Sequence, residues 1–174
     1  MLETGQGRKA ASLIISFRVC FYFILNFNVS RETLVRLIMN EFFIKQAIIE
    51  AKKAYKKGEV PVGAVLVKNN EILVKSHNTV EKDKIVTKHA EIKVIEKASK
   101  KIDNWRLNEC DLYVTLEPCT MCMGAIESSR IRHVYYILSK KNIEEGKKTS
   151  FKKMSFYEKE YLKILQDFFK EKRK

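Results

Sequence analysis

The 174-residue sequence predicts an α/β sandwich: a mixed sheet of four or five strands with helices on both faces. Three observations carry this. The segments run helix, hairpin, helix, strand, helix, strand, helix. The strand segments are short and rich in β-branched residues, and most of the helical segments carry a one-sided apolar stripe. The length also suffices for one ordinary domain with a core of its own, without disulfide staples.

Each element has a local reason. Asn40 can cap a helix to about Lys57, with Phe43, Ala47, Ala51, Ala54 and Tyr55 at helical spacing and Gly58 at its end. Val62 to Val67 reads as a buried strand. Asn69-Asn70 turns the chain, and Glu71 to Ser76 returns as the second strand of a hairpin. Lys88 to Lys101 carries Ala90, Val94, Ile95 and Ala98 on one side and reads as a helix. Asp111 to Leu116 is a third strand. Pro118 opens a helix to about Ser129, and Ile131 to Leu138 is the fourth strand. Thr149 to Met154 is the candidate fifth. Ser155-Phe156-Tyr157-Glu158 has capping-box spacing and opens a last helix striped by Tyr157, Tyr161, Leu165 and Phe168.

Residues 1–38 differ from the rest. They hold four Arg and one Lys, whereas the remainder holds four Arg and 25 Lys. The apolar stretch from Leu13 to Phe27 is broken by Arg18, and its longest uncharged piece is too short to span a bilayer as a helix. Arg8 and Lys9 before it resemble a signal peptide, but no small-x-small cleavage site follows. An organellar transit segment and a translation start at Met39 are further readings. The expected organisation is a non-catalytic extension or misassigned start over residues 1–38, with one domain over 39–174 and no membrane anchor.

The net charge is +13, which favours an anionic partner such as nucleic acid or an acidic membrane. Residues 140–174 hold twelve basic and six acidic side chains, nearly half of the excess. A solvated tail is the plainer reading of that run.

Two short motifs carry the chemistry: His89-Ala90-Glu91 and Pro118-Cys119-Thr120-Met121-Cys122. A lone His is usually structural, and a lone CxxC can be a redox pair or half of a closed zinc site. Here both motifs open predicted helices, with a strand between them. Cys119 and Cys122, three apart, face one way on a helix, and its N-terminus favours thiolates. One imidazole and two thiolates fill three corners of a tetrahedral zinc site, leaving the fourth for water, the catalytic arrangement. A fourth protein ligand would have to be Cys20, Cys110, His77 or His133, none of which sits in a ligand pair. Zinc lowers the pKa of water toward about 7, and Glu91 is placed to move its proton. The plain alternative for Glu91 is a first-turn carboxylate that favours the helix dipole.

The two motifs resemble the signature of zinc-dependent nucleobase deaminases. Gly58-Glu59-Val60-Pro61-Val62-Gly63-Ala64-Val65, Asn104-Trp105-Arg106-Leu107, Leu112 to Cys119, Met123-Gly124-Ala125-Ile126, Ser129-Arg130-Ile131 and Asp167-Phe168-Phe169 narrow this. They resemble the bacterial tRNA adenosine deaminases, closely from Met39 to about Tyr136 and weakly in the last helix. The resemblance implies a three-layer α/β/α cytidine deaminase-like fold. It also implies a cytoplasmic homodimer with one zinc per subunit, held by His89, Cys119 and Cys122. Its reaction is conversion of adenosine to inosine at wobble position 34 of a tRNA anticodon, that of arginine tRNA. Activated water attacks the amino-bearing ring carbon, and Glu91 protonates the ring nitrogen and then the leaving ammonia. Asn78 then contacts the flipped base and Val60 lines its pocket, although a loop cap and a strand-start residue are the plain readings. Lys170, Lys172, Arg173 and Lys174 are the candidate phosphate contacts. Trp105 is assigned to core packing ahead of stacking on RNA.

After the fourth strand the family carries a Gly and an acidic residue where this chain has Ile137-Leu138-Ser139-Lys140-Lys141. RNA recognition through that loop is therefore expected to differ, and the following segment is short. The rival readings are a deaminase of a free base, nucleoside or nucleotide (guanine, cytidine or deoxycytidylate) and an inactive zinc-stabilised RNA-binding module.

Overall fold

Five strands form one sheet in the order β2-β1-β3-β4-β5. The strands are β1 (Gly63–Lys68), β2 (Glu71–His77), β3 (Cys110–Leu116), β4 (His133–Leu138) and β5 (Ser150–Lys153). β1 is antiparallel to β2 and β3, whereas β3, β4 and β5 are parallel. The helices are α1 (Arg31–Lys56), α2 (Val80–Asp83), α3 (Ala90–Lys101), α4 (Thr120–Ser128) and α5 (Glu158–Lys172). This computed structural model describes residues 30–139 and 149–173. The extension before Ser30, with Cys20 and the Leu13 to Phe27 stretch, lies outside the described residues, as do Lys140, Lys141 and Lys174. The fifth strand left open by the sequence is present and pairs with β4 from His133 to Tyr136.

Alternation of side chains divides the sheet into two faces. Ala64, Leu66, Leu112, Val114 and Val134 join Ala90, Val94 and Ala98 of α3 and Ile126 of α4 in one buried cluster. None of the fully buried members of that cluster is aromatic. Small residues such as Ala90 and Ala98 let α3 lie close to the strands. The opposite face is aromatic. Tyr113 stacks on Tyr135, and Phe43 of α1 packs on Tyr113. Tyr161 of α5 is fully buried there, and its hydroxyl donates to Pro61 O at 2.9 Å. So α3 and α4 cover one face, and α1 from Glu41 onward covers the other with α5. That is the three-layer arrangement.

The contacts divide the chain into residues 1–40 and 41–174. Of the first unit, the described residues are Ser30 and the opening turns of α1. Asn40 does not cap this helix: it lies inside α1, and Ser30 is the cap, its Oγ accepting the Thr33 N–H at 3.2 Å. Residues 31–39 contain neither Gly nor Pro, so nothing stops the helix from starting earlier. The expected boundary at 38/39 falls within this continuous helix.

Ser155 is not a cap either. α5 begins at Glu158 behind Tyr157, which is held in the left-handed region at φ 60°, and no side chain caps the helix. The capping box loses because Met154 N still bonds Tyr136 O beside β4, so the chain cannot begin to coil at Ser155. Two further starts move later by two residues each: His89 and Cys119 are the residues preceding α3 and α4, not members of their first turns.

The β1–β2 hairpin closes through Asn69 and Asn70 alone, both at positive φ (51° and 61°), the turn that matches strand twist. Gly63 opens β1 where α1 crosses it. A Cβ there would strike the Ala47 carbonyl and the Ala51 nitrogen of α1.

Candidate active site

Two helix N-termini meet at one end of the sheet. His89 has extended backbone (φ −69°, ψ 153°) as it enters α3, and Cys119 the same (φ −75°, ψ 168°) as it enters α4. The Cys122 side chain follows one turn into α4. The donor atoms of His89, Cys119 and Cys122 lie within 4.8 Å of one another. His89 Nδ1 is 3.5 Å from Cys122 Sγ and 3.8 Å from Cys119 Sγ.

These distances suit a metal. With zinc–nitrogen and zinc–sulfur bonds of about 2.0–2.1 and 2.3 Å, a tetrahedral N···S edge is about 3.5 Å. The donor set points the same way. Burial, then the charges of Glu91 and Cys119, push the Cys122 thiol far above the usual range. A divalent cation reverses that cost by binding thiolates directly. Three donors leave one tetrahedral corner for a small ligand. Among the described residues no other His, Cys, Asp and Glu group of this kind occurs.

Among the described residues, the sequence alternatives for a fourth ligand lie elsewhere. His77 Nδ1 bonds Glu50 and His133 Nδ1 bonds Asp111, both at 2.9 Å. Cys110 is a buried core residue at the start of β3, at the other end of that strand.

A cavity of about 250 Å³ opens beside the three donors. Glu91, only 4% exposed, shares its wall with His89, Cys119, Val60 and Asn78. Glu91 therefore reaches the site despite sitting two residues beyond His89. Asn78 is buried, and its Oδ1 accepts the Ala90 N–H at 2.8 Å. It thus caps the α3 N-terminus and lines the cavity at once.

Glu59 and Glu117 are among the wall residues not picked out from the sequence. Glu59 is almost wholly buried, its carboxylate accepting the Glu81 and Lys82 N–H groups at 3.0 and 2.8 Å. It ties down α2, a single turn too short to leave a periodic signal. Glu117 accepts the Ser139 hydroxyl at 2.6 Å. A carboxylate set against apolar neighbours, as in Glu59-Val60-Pro61-Val62, is the sequence signal for such positions.

Trp105 corrects the core assignment. It is 51% exposed and does not line the cavity. Arg106 and Arg130 lie over its ring, at 4.2 and 5.4 Å from the centroid, and cation–π contact on a turn replaces burial. At the other end of the chain, Lys170 and Lys172 lie in the last turn of α5, with Arg173 beyond. Lys172 Nζ approaches Gly58, next to Glu59 of the cavity wall.

Fold and site together define a deaminase-type α/β domain whose candidate metal donors gather at the N-termini of two neighbouring helices. A family model described as MafB19-like deaminase matches residues 39–173, and the chain belongs to that family. It is 50% identical over 100 residues to the tRNA-specific adenosine deaminase of Bacillus subtilis, covering 58% of this chain and 62% of that one. The matched stretch thus spans about three-fifths of that curated relative. One solved structure comes from work on A-to-I editing by tRNA:A34 deaminases at the wobble position of transfer RNA. It is 37% identical, with a TM-score of 0.66, covering 71% of this chain and 99% of that one. A guanine deaminase structure from Bacillus subtilis is 28% identical, with a TM-score of 0.55, covering 73% and 93%. Among the described residues, no helix is long and apolar enough to cross a membrane.

Proposed function

We propose that this chain is a zinc-dependent deaminase that converts adenosine to inosine at the wobble position of a tRNA anticodon, acting as a cytoplasmic homodimer on arginine tRNA. The carrying observation is one small cavity whose wall holds His89 and Cys119 of the three-donor cluster, a buried carboxylate and an amide side chain. Its volume is below the range of about 300–1,000 Å³ usual for larger ligands, so it suits a single base with the rest of the RNA outside. The similarity to tRNA-specific adenosine deaminases supports the same reading.

His89, Cys119 and Cys122 would hold the zinc. When bound, it supplies the Lewis acidity that makes water a nucleophile near neutral pH. Glu91 would take one proton from the attacking water and give it to the ring nitrogen, then carry the second proton of that oxygen to the departing ammonia. Its burial serves this, because the carboxylate works in a low-dielectric pocket close to the donors. Asn78 spends its Oδ1 on the Ala90 N–H, which leaves its amide N–H group for an acceptor on the base. Val60 contributes an apolar wall. An anticodon loop presents unpaired bases, so extrusion of the target costs little.

The direct test offers the purified protein an arginine tRNA anticodon stem-loop beside free adenosine, cytidine and guanine. Inosine at position 34 is the expected product. Turnover of a free base with none on the RNA would assign the chain to the free-base deaminases instead. The basic end of α5 gives a second expectation. Changing Lys170, Lys172 and Arg173 to Gln removes three phosphate contacts, so the slope of log K against log salt becomes shallower by about 2. A titration with an unchanged slope would remove this end from the RNA interface.

A further inference from the structure

The last residue of β2 is gripped from both faces of the sheet, directly before Asn78. On one side the His77 ring meets α1: Nδ1 lies 2.9 Å from Glu50 Oε2, and Nε2 lies 3.0 Å from Lys57 Nζ. An ammonium can only donate, so Nε2 accepts and the proton sits on Nδ1. The chain of contacts is therefore Lys57 ammonium, neutral imidazole, Glu50 carboxylate. Glu50 is nearly buried, and its other oxygen accepts Lys53 Nζ at 2.6 Å. On the other side Lys93 of α3 donates to the His77 carbonyl at 3.0 Å and to Thr79 Oγ1 at 2.7 Å. Thr79 in turn donates to Asp83 of α2 at 2.6 Å. Asn78 sits between these anchors, its N–H on Val62 O at 3.1 Å and its Oδ1 on the α3 N-terminus. The register pairs His77 with Gly63, the position where α1 touches β1.

We propose that His77 is a positioning residue for substrate binding: its neutral imidazole, held between Lys57 and Glu50, sets the place of Asn78 in the cavity wall. The inference rests on the reading of Asn78 as a base contact. His77 touches neither the metal donors nor the cavity, so it acts through its neighbour.

The titration has a definite sign. Burial lowers the His77 pKa first, and Lys57 and Lys93 lower it further, while Glu50 raises it. The groups facing it are thus Glu50 and Lys53 of α1, Lys57 just beyond that helix and Lys93 of α3. The arrangement stabilised by the fold has the ring neutral. It is present at neutral pH and is lost as pH falls through a pKa below the ordinary imidazole value of about 6.5. Once protonated, Nε2 becomes a donor that opposes the Lys57 ammonium.

His77→Phe keeps the ring volume and removes both bonds. Its expected effect is a KM about tenfold higher, with kcat and zinc content close to those of the parent chain. The rise of KM on the acid side, present in the parent, should be absent in this variant. His77→Asn restores a donor toward Glu50 and should recover most of the loss. Lys57→Met alters an exposed side chain, so folding is not at stake. Removing that ammonium makes the ring easier to protonate and should move the acid limb of KM to higher pH. The parent is first assayed on the anticodon stem-loop and the free bases, and the variants are compared on whichever substrate it turns over. A wrong substrate class therefore appears in the parent, whereas a wrong role for His77 appears only in the variants. An acid limb that stays in place in both His77→Phe and Lys57→Met overturns the proposal.

Discussion

Replacing Glu91 with alanine is expected to leave zinc bound and to lower turnover by about a thousandfold, within the range for loss of a general acid–base. The zinc is expected to stay because Glu91 is not among the three donors and its charge opposes the Cys122 thiolate. Removing it relieves that repulsion. Metal content by atomic emission and single-turnover deamination on the same sample separate the two effects. Retained turnover would take Glu91 out of the mechanism, whereas loss of zinc along with activity would make it a structural support of the metal site. The glutamine variant sharpens the comparison. It keeps the shape of the side chain and cannot carry the proton, so it should be as slow as alanine.

The second large effect is on stability. Gly63→Ala is expected to cost about 3 kcal/mol, at the upper end for overpacking a core. In a chain of this size that is a fall in Tm of about 10 °C. The added methyl meets the Ala47 carbonyl and the Ala51 nitrogen, which belong to the backbone of α1 and cannot rotate away. Either α1 lifts from the sheet or β1 shifts. Both moves disturb the Gly63–His77 pair and so the strand that ends at Asn78. Thermal unfolding followed by circular dichroism reads the effect. A variant that melts with the parent would mean that α1 does not lie against β1 at this point.

The donor cluster could be anticipated before the fold because it rests on short-range spacing. His89-Ala90-Glu91 and the Cys119–Cys122 pair each occupy one helix start, and donor type and spacing are local properties. Helix α3 and the two-Asn hairpin were equally local, since amphipathic period and positive-φ turns are encoded in neighbouring residues. The misreadings share a cause. Asn40 and Ser155 are competent caps, but a cap works only where the chain turns. Continuity of α1 from Ser30 and the bond from Met154 to β4 put the turns elsewhere. Trp105 looked like core because tryptophan usually is, and nothing local shows that the distant Arg130 joins the neighbouring Arg106 over its ring. The fifth strand depended on pairing with β4, a contact across a segment without clear period.

By itself the sequence pointed to the α/β class, to His89, Cys119 and Cys122 as a candidate donor set and to Glu91 as a candidate acid–base, because each reading follows from residue type at a fixed short spacing. The tertiary structure alone decided what those residues share. It brought Val60, Asn78, Glu91 and Cys119 to one cavity from four separate segments. It made Gly63 obligatory by laying a helix across it, and it set His77 between Glu50 and Lys57 from across the sheet. Such contacts join residues far apart in the chain. Their energies depend on distances that no local pattern of side chains records.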